Sequence, residues 1–202
     1  MERTKAALVL NAPELDASII AEDFIVAADA GFRHLSGRNA GALVGDLDTL
    51  GSAPEGVMLI RYPIEKNATD GELAIDYLNS LNFKEITIYG AFGGKIEHVL
   101  GNLNLLAYAD SLGISAKIDD GKEKAWFSKS RLEIDSLPGD EVSIFPFGGC
   151  ASVSHSEGLY YPLENLLLKP EKSRGISNRA TDEKIVLEIA SGAVIVILRR
   201  KG

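Results

Sequence analysis

Apolar residues in the first half of this chain gather into short unbroken runs rather than alternating with polar ones. Lys5 to Asn11 (KAALVLN), Phe24 to Asp29 (FIVAAD), Gly41 to Gly45 (GALVG), Val57 to Tyr62 (VMLIRY) and Glu85 to Tyr89 (EITIY) are each of strand length. Runs of this kind suit strands covered on both faces. The segments between them predict helices: a proline-initiated polar stretch between the first two runs, then helices over about 69–82 and 95–111. Strands separated by helices are β-α-β grammar and predict a mainly parallel sheet. Thr69 with Glu72 three residues on reads as a capping box, and Leu73, Tyr77 and Leu81 then recur every four residues on one face. That register puts Asp70 in the first turn, beside the positive helix end. In the second helix, Ile96, Val99, Leu100, Leu103, Leu106 and Ala107 are expected on the buried side, with Glu97, His98 and Asn102 facing elsewhere.

After about Ser115 the pattern changes to short β-like segments punctuated by Gly, Pro and Asp: Arg131 to Asp135, Glu141 to Phe145, Lys184 to Ile189 and Ala193 to Leu198. The expected boundary falls near Asp119-Asp120-Gly121, giving an α/β domain over 1–119 and an all-β sandwich or barrel-like domain over 120–202. Trp126, the only tryptophan, reads as a packing residue of the second domain.

Composition narrows the classes of function. The chain has 202 residues, 46% apolar and 25% charged, enough to bury one large or two small cores. A net charge of −8, with no basic run except Arg199-Arg200-Lys201, argues against a nucleic-acid surface. Cys150 stands alone, and His34, His98 and His155 are too far apart for zinc-ligand spacing. No signal-peptide core and no apolar run near the roughly 18 residues of a spanning helix are present, so the expectation is a cytoplasmic protein with no membrane partner.

Carboxylates supply the candidate chemistry. Asp46 and Asp48 in Gly45-Asp46-Leu47-Asp48-Thr49 are two apart, so an extended chain projects both to one side, and Gly45 leaves room for a ligand. Following a strand, they would lie at the carboxyl end of the sheet, where open α/β sheets bind ligands. With Asp70 they form a like-charged cluster that a hard divalent cation carrying a polyphosphate would neutralise. The plainer alternatives are an Asp-rich turn for the pair and a dipole-stabilised first-turn acid for Asp70. Lys66 could meet a phosphate, and Asn67 offers a neutral oxygen. Gly93-Gly94-Lys95, between a strand and a helix, either cradles an anion on backbone N–H groups or simply makes a tight turn. It lacks the spacing of a Walker A loop. By itself His98 reads as structural, and Ala28-Asp29-Ala30-Gly31 as a turn.

Taken in order, Ala28-Asp29-Ala30-Gly31, Gly45-Asp46-Leu47-Asp48-Thr49, Lys66-Asn67-Ala68-Thr69-Asp70, Gly93-Gly94-Lys95-Ile96-Glu97-His98 with Asn102, and Gly175-Ile176-Ser177-Asn178 resemble the thiamine pyrophosphokinase family over nearly the whole chain. The resemblance implies a Rossmann-like α/β nucleotide domain followed by a β-sandwich, a homodimer sharing the thiamine site across its interface, and transfer of diphosphate from Mg-ATP to the thiamine hydroxyl. It also implies roles. Asp46, Asp48 and Asp70 would hold Mg2+ and orient the polyphosphate as catalytic acids. Asp29, Lys66, Asn67, Thr69, Gly93, Gly94 and Lys95 would lie around the nucleotide, and Glu97, His98, Asn102, Ser177 and Asn178 around the substrate.

Three positions depart from the family pattern: Asn67 and Glu97 stand where Asp is usual, and Lys95 where Arg is usual. Lys95 loses a bidentate fork, and Asn67 loses a charge. An aromatic residue that some members carry on the last strand has an aliphatic counterpart around Val194 to Val196. The rival expectations are diphosphate transfer to another alcohol such as a hydroxymethyl pterin, a non-catalytic thiamine or nucleotide-binding regulator, and a structural dimer module.

Overall fold

The computed structural model describes residues 4–36, 38–45, 56–61 and 67–201. Asp46, Asp48 and Lys66 therefore lie outside the described residues. The strand content is mixed, parallel in the first part of the chain and antiparallel in the second, with two α-helices among the described residues. Two compact units result, Met1–Gly121 and Lys122–Gly202.

In the first unit β1 (Lys5–Val9), β2 (Ile25–Ala28), β3 (Ala42–Gly45), β4 (Leu59–Arg61), β5 (Glu85–Tyr89) and β6 (Ser115–Asp119) pair in parallel in the order β6-β5-β1-β2-β3-β4. The unbroken apolar runs have the expected cause. Ala6 to Val9 of β1 are fully buried, because both faces of the strand are covered. Ala7, Val9, Ala27 and Leu43 pack with Ile20 and Leu35 on one face, while helix α1 (Asp70–Ser80) packs on β1, β2 and β3. A second helix, α2 (Ile96–Ser111), packs on β6 and α1. The order matters for function. The chain moves outward from β1 through β2, β3 and β4, then returns to the other side of β1 with β5, which makes the carboxyl ends of β1 and β5 a topological switch point.

Three helical expectations change. Between β1 and β2 the structure has only a single 3-10 turn, Ala17–Ile19, capped by the Asp16 side chain, which accepts from Ser18 N. α1 begins with the expected capping box: Thr69 Oγ1 accepts from Glu72 N at 3.3 Å, and Glu72 Oε2 accepts from Thr69 N at 2.6 Å. Its buried face is Gly71, Ala74, Ile75 and Leu78 together with Leu73, whereas Leu81 of the predicted row is 43% exposed. In α2 the buried residues are Leu105, Leu106 and Ala109, while Ile96 and Leu100, expected inside, are 76% and 58% exposed.

The second unit is antiparallel. β7 (Glu123–Ser128), β8 (Arg131–Asp135), β9 (Glu141–Glu157), β10 (Leu166–Leu168), β11 (Asn178–Arg179) and β12 (Lys184–Arg199) are built around β9 and β12, which pair along nearly their whole lengths. The two segments expected at Lys184 to Ile189 and Ala193 to Leu198 are one strand, interrupted by register shifts between Glu188 and Ala193. Such bulges bend a strand and let it change partners. The first half of β12 pairs with β8 and the second with β7. Ile144, Val153, Leu187, Val194 and Val196 fill the core, with Trp126 packed against it as expected.

Candidate active site

A cavity of about 790 Å3 opens at the switch point of the first unit, within the roughly 300–1,000 Å3 range of small-molecule sites. Leu10 to Pro13 after β1, Ala28 and Asp29 after β2, Thr69 to Gly71 at the start of α1, Gly90 and Ala91 after β5, and Gly93 to Lys95 leading into α2 make its walls. α2 contributes Glu97, His98, Gly101, Asn102 and Leu105. Parallel strands in register deliver these loops to one edge, since Val9 of β1 stands opposite both Ala27 and Tyr89. Sequence-distant motifs meet for that reason.

Asp29 is the most informative residue of the wall. It follows β2 with a φ of 41°, an uncommon backbone conformation for a side chain other than Gly, and its Oδ1 is buried without a hydrogen-bond partner among the described residues. A buried carboxylate oxygen without a partner is costly, so its persistence points to a ligand that completes it. Asp70 stands close by. A Cβ placed on Gly45 would lie 3.3 Å from the Asp29 Cβ and 3.4 Å from Asp70 Oδ1, so the end of β3 is threaded between the two acids. Gly45 has a φ of 153°, and glycine there both permits the backbone and keeps the space between the carboxylates open. Two hard oxygen donors converging at a strand end, one of them unsatisfied, fit a divalent cation of the magnesium type. Among the described residues no group of three or more His, Cys, Asp or Glu could hold a metal ion.

The opposite wall is glycine-rich. Gly93 and Gly94 have φ of 84° and 71°, and a side chain at either would press on Pro13, so the loop after β5 lies against the loop after β1. Lys95 is the N-cap residue of α2 and borders the cavity together with the exposed Glu97 and His98. Asn102 faces the cavity but donates from Nδ2 to Ala91 O at 2.8 Å, so part of its amide braces the wall. The N–H groups of Gly90, Ala91 and Phe92 are also taken, all three donating to the Asp120 carboxylate. Burial pushes the Asp120 carboxyl up from its ordinary range, opposed by those three donors. His34 Nε2 lies 2.9 Å from Ala12 O and ties the loop after β1 to the 3-10 helix (Asp29–Leu35) that begins at Asp29.

Of the expected site residues, Asp29, Thr69, Asp70, Gly93, Gly94, Lys95, Glu97, His98 and Asn102 share this cavity. Asn67 is described and exposed but does not border it. Ser177 and Asn178 belong to the other unit. Ser177 is exposed with a φ of 55°, its N–H donating to Ser143 Oγ. Asn178 is 3% exposed, its Oδ1 accepts from Tyr161 N and Arg179 N, and its Nδ2 donates to Tyr161 O, so the amide holds its own loop. Sequence reasoning missed the wall after β1, Leu10 to Pro13, and the bracing residues His34 and Asp120. Asn11 and Pro13 directly after the first apolar run were the one available signal.

Comparison with known proteins places the chain. The model of the thiamin pyrophosphokinase catalytic domain matches residues 15–118, and that of the thiamin pyrophosphokinase vitamin B1 binding domain matches residues 129–194. Thiamine pyrophosphokinase of Bacillus subtilis (strain 168) is 28% identical over 138 residues, 67% of this chain and 64% of the relative. Thiamine pyrophosphokinase 1 of Arabidopsis thaliana is 28% identical over 155 residues, 72% of this chain and 58% of the relative. The chain thus matches less than two thirds of the length of these curated relatives. A crystal structure of the Bacillus subtilis thiamine pyrophosphokinase superposes with a TM-score of 0.85 at 21% identity, covering 98% of this chain and 100% of that one. Thiamin pyrophosphokinase from Candida albicans gives 0.79 at 17%, covering 98% and 90%. These structural likenesses establish a shared fold. The chain belongs to the thiamin pyrophosphokinase family.

Proposed function

We propose that this chain is a thiamine pyrophosphokinase, transferring a diphosphate from ATP to the hydroxyl of thiamine to give thiamine diphosphate and AMP. The observation that carries the reading is the orphaned Asp29 Oδ1 beside Asp70, in a cavity at the switch point of a unit that the catalytic-domain model matches. The match of the second unit to a vitamin B1 binding domain favours thiamine over a pterin alcohol as the acceptor.

In this reading the first unit is the Rossmann-like nucleotide domain and the second a sandwich that binds thiamine and pairs two copies into a homodimer. Asp29 and Asp70, with Asp46 and Asp48 following Gly45 in the chain, are the acids that would hold Mg2+. Bound there, Mg2+ would neutralise charge on the polyphosphate. Gly93, Gly94 and the Lys95 ammonium meet phosphate oxygens, aided by the positive end of α2. Lys66 and Asn67, shortly before Asp70 in the sequence, would meet the same polyphosphate. Glu97, His98 and the remaining capacity of Asn102 orient the acceptor, and Ser177 reaches thiamine from the other subunit. The thiamine hydroxyl oxygen attacks the β phosphorus, the bond from that phosphorus to the α–β bridging oxygen breaks, and AMP leaves with the bridging oxygen. The hydroxyl proton passes to a carboxylate of the cluster. Most of the acceleration is positioning and electrostatic stabilisation. An acidic wall also suits a cationic thiazolium. The single Cys150, free and exposed, suits a reducing cytoplasm, and no helix of the described residues is long and apolar enough to cross a membrane.

Incubation with Mg-ATP and thiamine, followed by chromatography, tests the reaction. AMP and thiamine diphosphate formed in equal amounts are expected. ADP with thiamine monophosphate would overturn diphosphate transfer, and product only with a pterin alcohol would overturn the acceptor. A monomeric mass at micromolar concentration with full activity would remove the shared site.

A further inference from the structure

We propose that Asp120 is a positioning residue for nucleotide binding: its carboxylate fixes the turn after β5 and so aims the Gly93–Lys95 segment into the cavity. The proposal rests on the reading of that cavity as the nucleotide site. Asp120 directly follows β6, the strand beside β5. Its Oδ1 accepts from Gly90 N at 2.6 Å, and its Oδ2 accepts from Ala91 N at 3.0 Å and Phe92 N at 2.9 Å. On the other side of the same turn Asn102 Nδ2 donates to Ala91 O at 2.8 Å, so the peptide groups are gripped from both directions.

Successive backbone N–H groups converging on one point form a nest of the kind that binds phosphate. Here the chain's own carboxylate fills it. Phosphate oxygens are thereby denied the N–H groups of Gly90 to Phe92 and directed to the next residues, Gly93, Gly94 and Lys95, at the mouth of α2. Gly90 and Ala91 border the cavity, so Asp120 acts through them. The turn also lies tight against the loop after β1, where a Cβ on Gly90 would come within 2.5 Å of Leu10 O. Without the grip, Gly90, Gly93 and Gly94 give the loop many alternatives, and ordering them falls on the ligand.

Asp120→Asn tests this with an isosteric change. No orientation of the amide satisfies all three donors, since its NH2 must face either Gly90 N–H or the Ala91 and Phe92 pair. The expected result is a rise of about tenfold or more in both KM for ATP and calorimetric Kd for ATP, with kcat within about threefold. The melting temperature should stay within a few degrees of the wild type, and Asp120→Glu, which keeps the charge, should recover part of the affinity. Unchanged KM and Kd would overturn the proposal. So would a lower melting temperature with reduced kcat at unchanged KM, the signature of a purely structural residue. If Asp120→Asn does not fold, Asp120→Glu carries the same comparison, and an ATP Kd equal to the wild type overturns it. Wild-type protein that binds ATP without making thiamine diphosphate would break the functional reading, while a Kd shift in Asp120→Asn would still support the clamp. Thiamine diphosphate formation with an unmoved Kd would break the clamp alone.

Discussion

Two aspartates with buried oxygens, Asp140 in the antiparallel unit and Asp29 in the parallel one, meet burial in opposite ways. In the antiparallel unit the polar atoms are consumed internally, as those of Asp120 are in the parallel one. Asp140, 1% exposed, accepts from Leu137 N, Lys201 N and the Arg200 guanidinium, and Asn178 spends its amide on Tyr161 and Arg179. At the strand ends of the parallel unit, Asp29 Oδ1 is buried with no partner among the described residues, beside a second acid. A satisfied network stabilises a fold, whereas an orphaned charge costs stability unless a ligand completes it. Aspartates therefore report structure where their oxygens are satisfied, as at Asp140, and chemistry where one is left over, as at Asp29.

The largest effect expected from this contrast is on turnover. Asp29→Asn and Asp70→Asn should each lower kcat about 100-fold or more, while thermal melting of Asp29→Asn stays level or rises, because it removes an unsatisfied charge. Initial rates with a parallel melting curve check this, and a stable variant with near-normal rate would break the contrast. In the other unit the order reverses. Asp140→Ala strands Arg200 and two backbone N–H groups and should cost about 3 kcal/mol of stability, seen in denaturant unfolding, with catalysis intact in the molecules that remain folded.

Asp140 also carries a pH signature. Burial raises its carboxyl, but the N–H groups of Leu137 and Lys201 and the Arg200 guanidinium outweigh this and hold it below the ordinary carboxylate range. A depressed folded value means the contribution is present above the unfolded value of about 3.9 and lost as pH falls through the folded one. Acid unfolding of the wild type should include this loss, and Asp140→Ala should lack it. Asn178→Ala should cost about 2 kcal/mol without changing KM for thiamine; a raised KM at unchanged stability would return Asn178 to the substrate site. The smallest effect belongs to His155, exposed between Glu157 and Glu164, whose hydrogen bonds raise its pKa. A raised folded value gives a contribution complete below about pH 6.5 and lost as pH climbs through the folded value. His155→Gln should flatten that slope in a melting series across pH.

How far the sequence could be read follows the range of the interactions involved. The capping box at Thr69 and Glu72 and the strand at Arg131–Asp135 were legible because neighbours in sequence set them. The buried face of α2 was not, since Ile96 and Leu100 are apolar yet face outward, and periodicity cannot tell an unpartnered apolar face from a buried one. Lys184 to Ile189 and Ala193 to Leu198 read as two segments, but register shifts between Glu188 and Ala193 keep both inside β12. At the site, the Asp and Gly motifs stood out by composition. Asp120 did not, because its partners lie about 30 residues away and only the pairing of β5 with β6 brings them together. Asn178 stands in the family motif, but the bonds its amide makes to Tyr161 and Arg179 join residues that only the folded loop brings together.

The central claim is that the orphaned acid and its neighbour are completed by a metal-bound nucleotide. Calorimetric titration of ATP with and without Mg2+, for wild type and Asp29→Asn, tests it most directly. The account predicts that Mg2+ tightens ATP binding to the wild type at least about tenfold and leaves Asp29→Asn almost unchanged. Equal gains from Mg2+ in both proteins would contradict it.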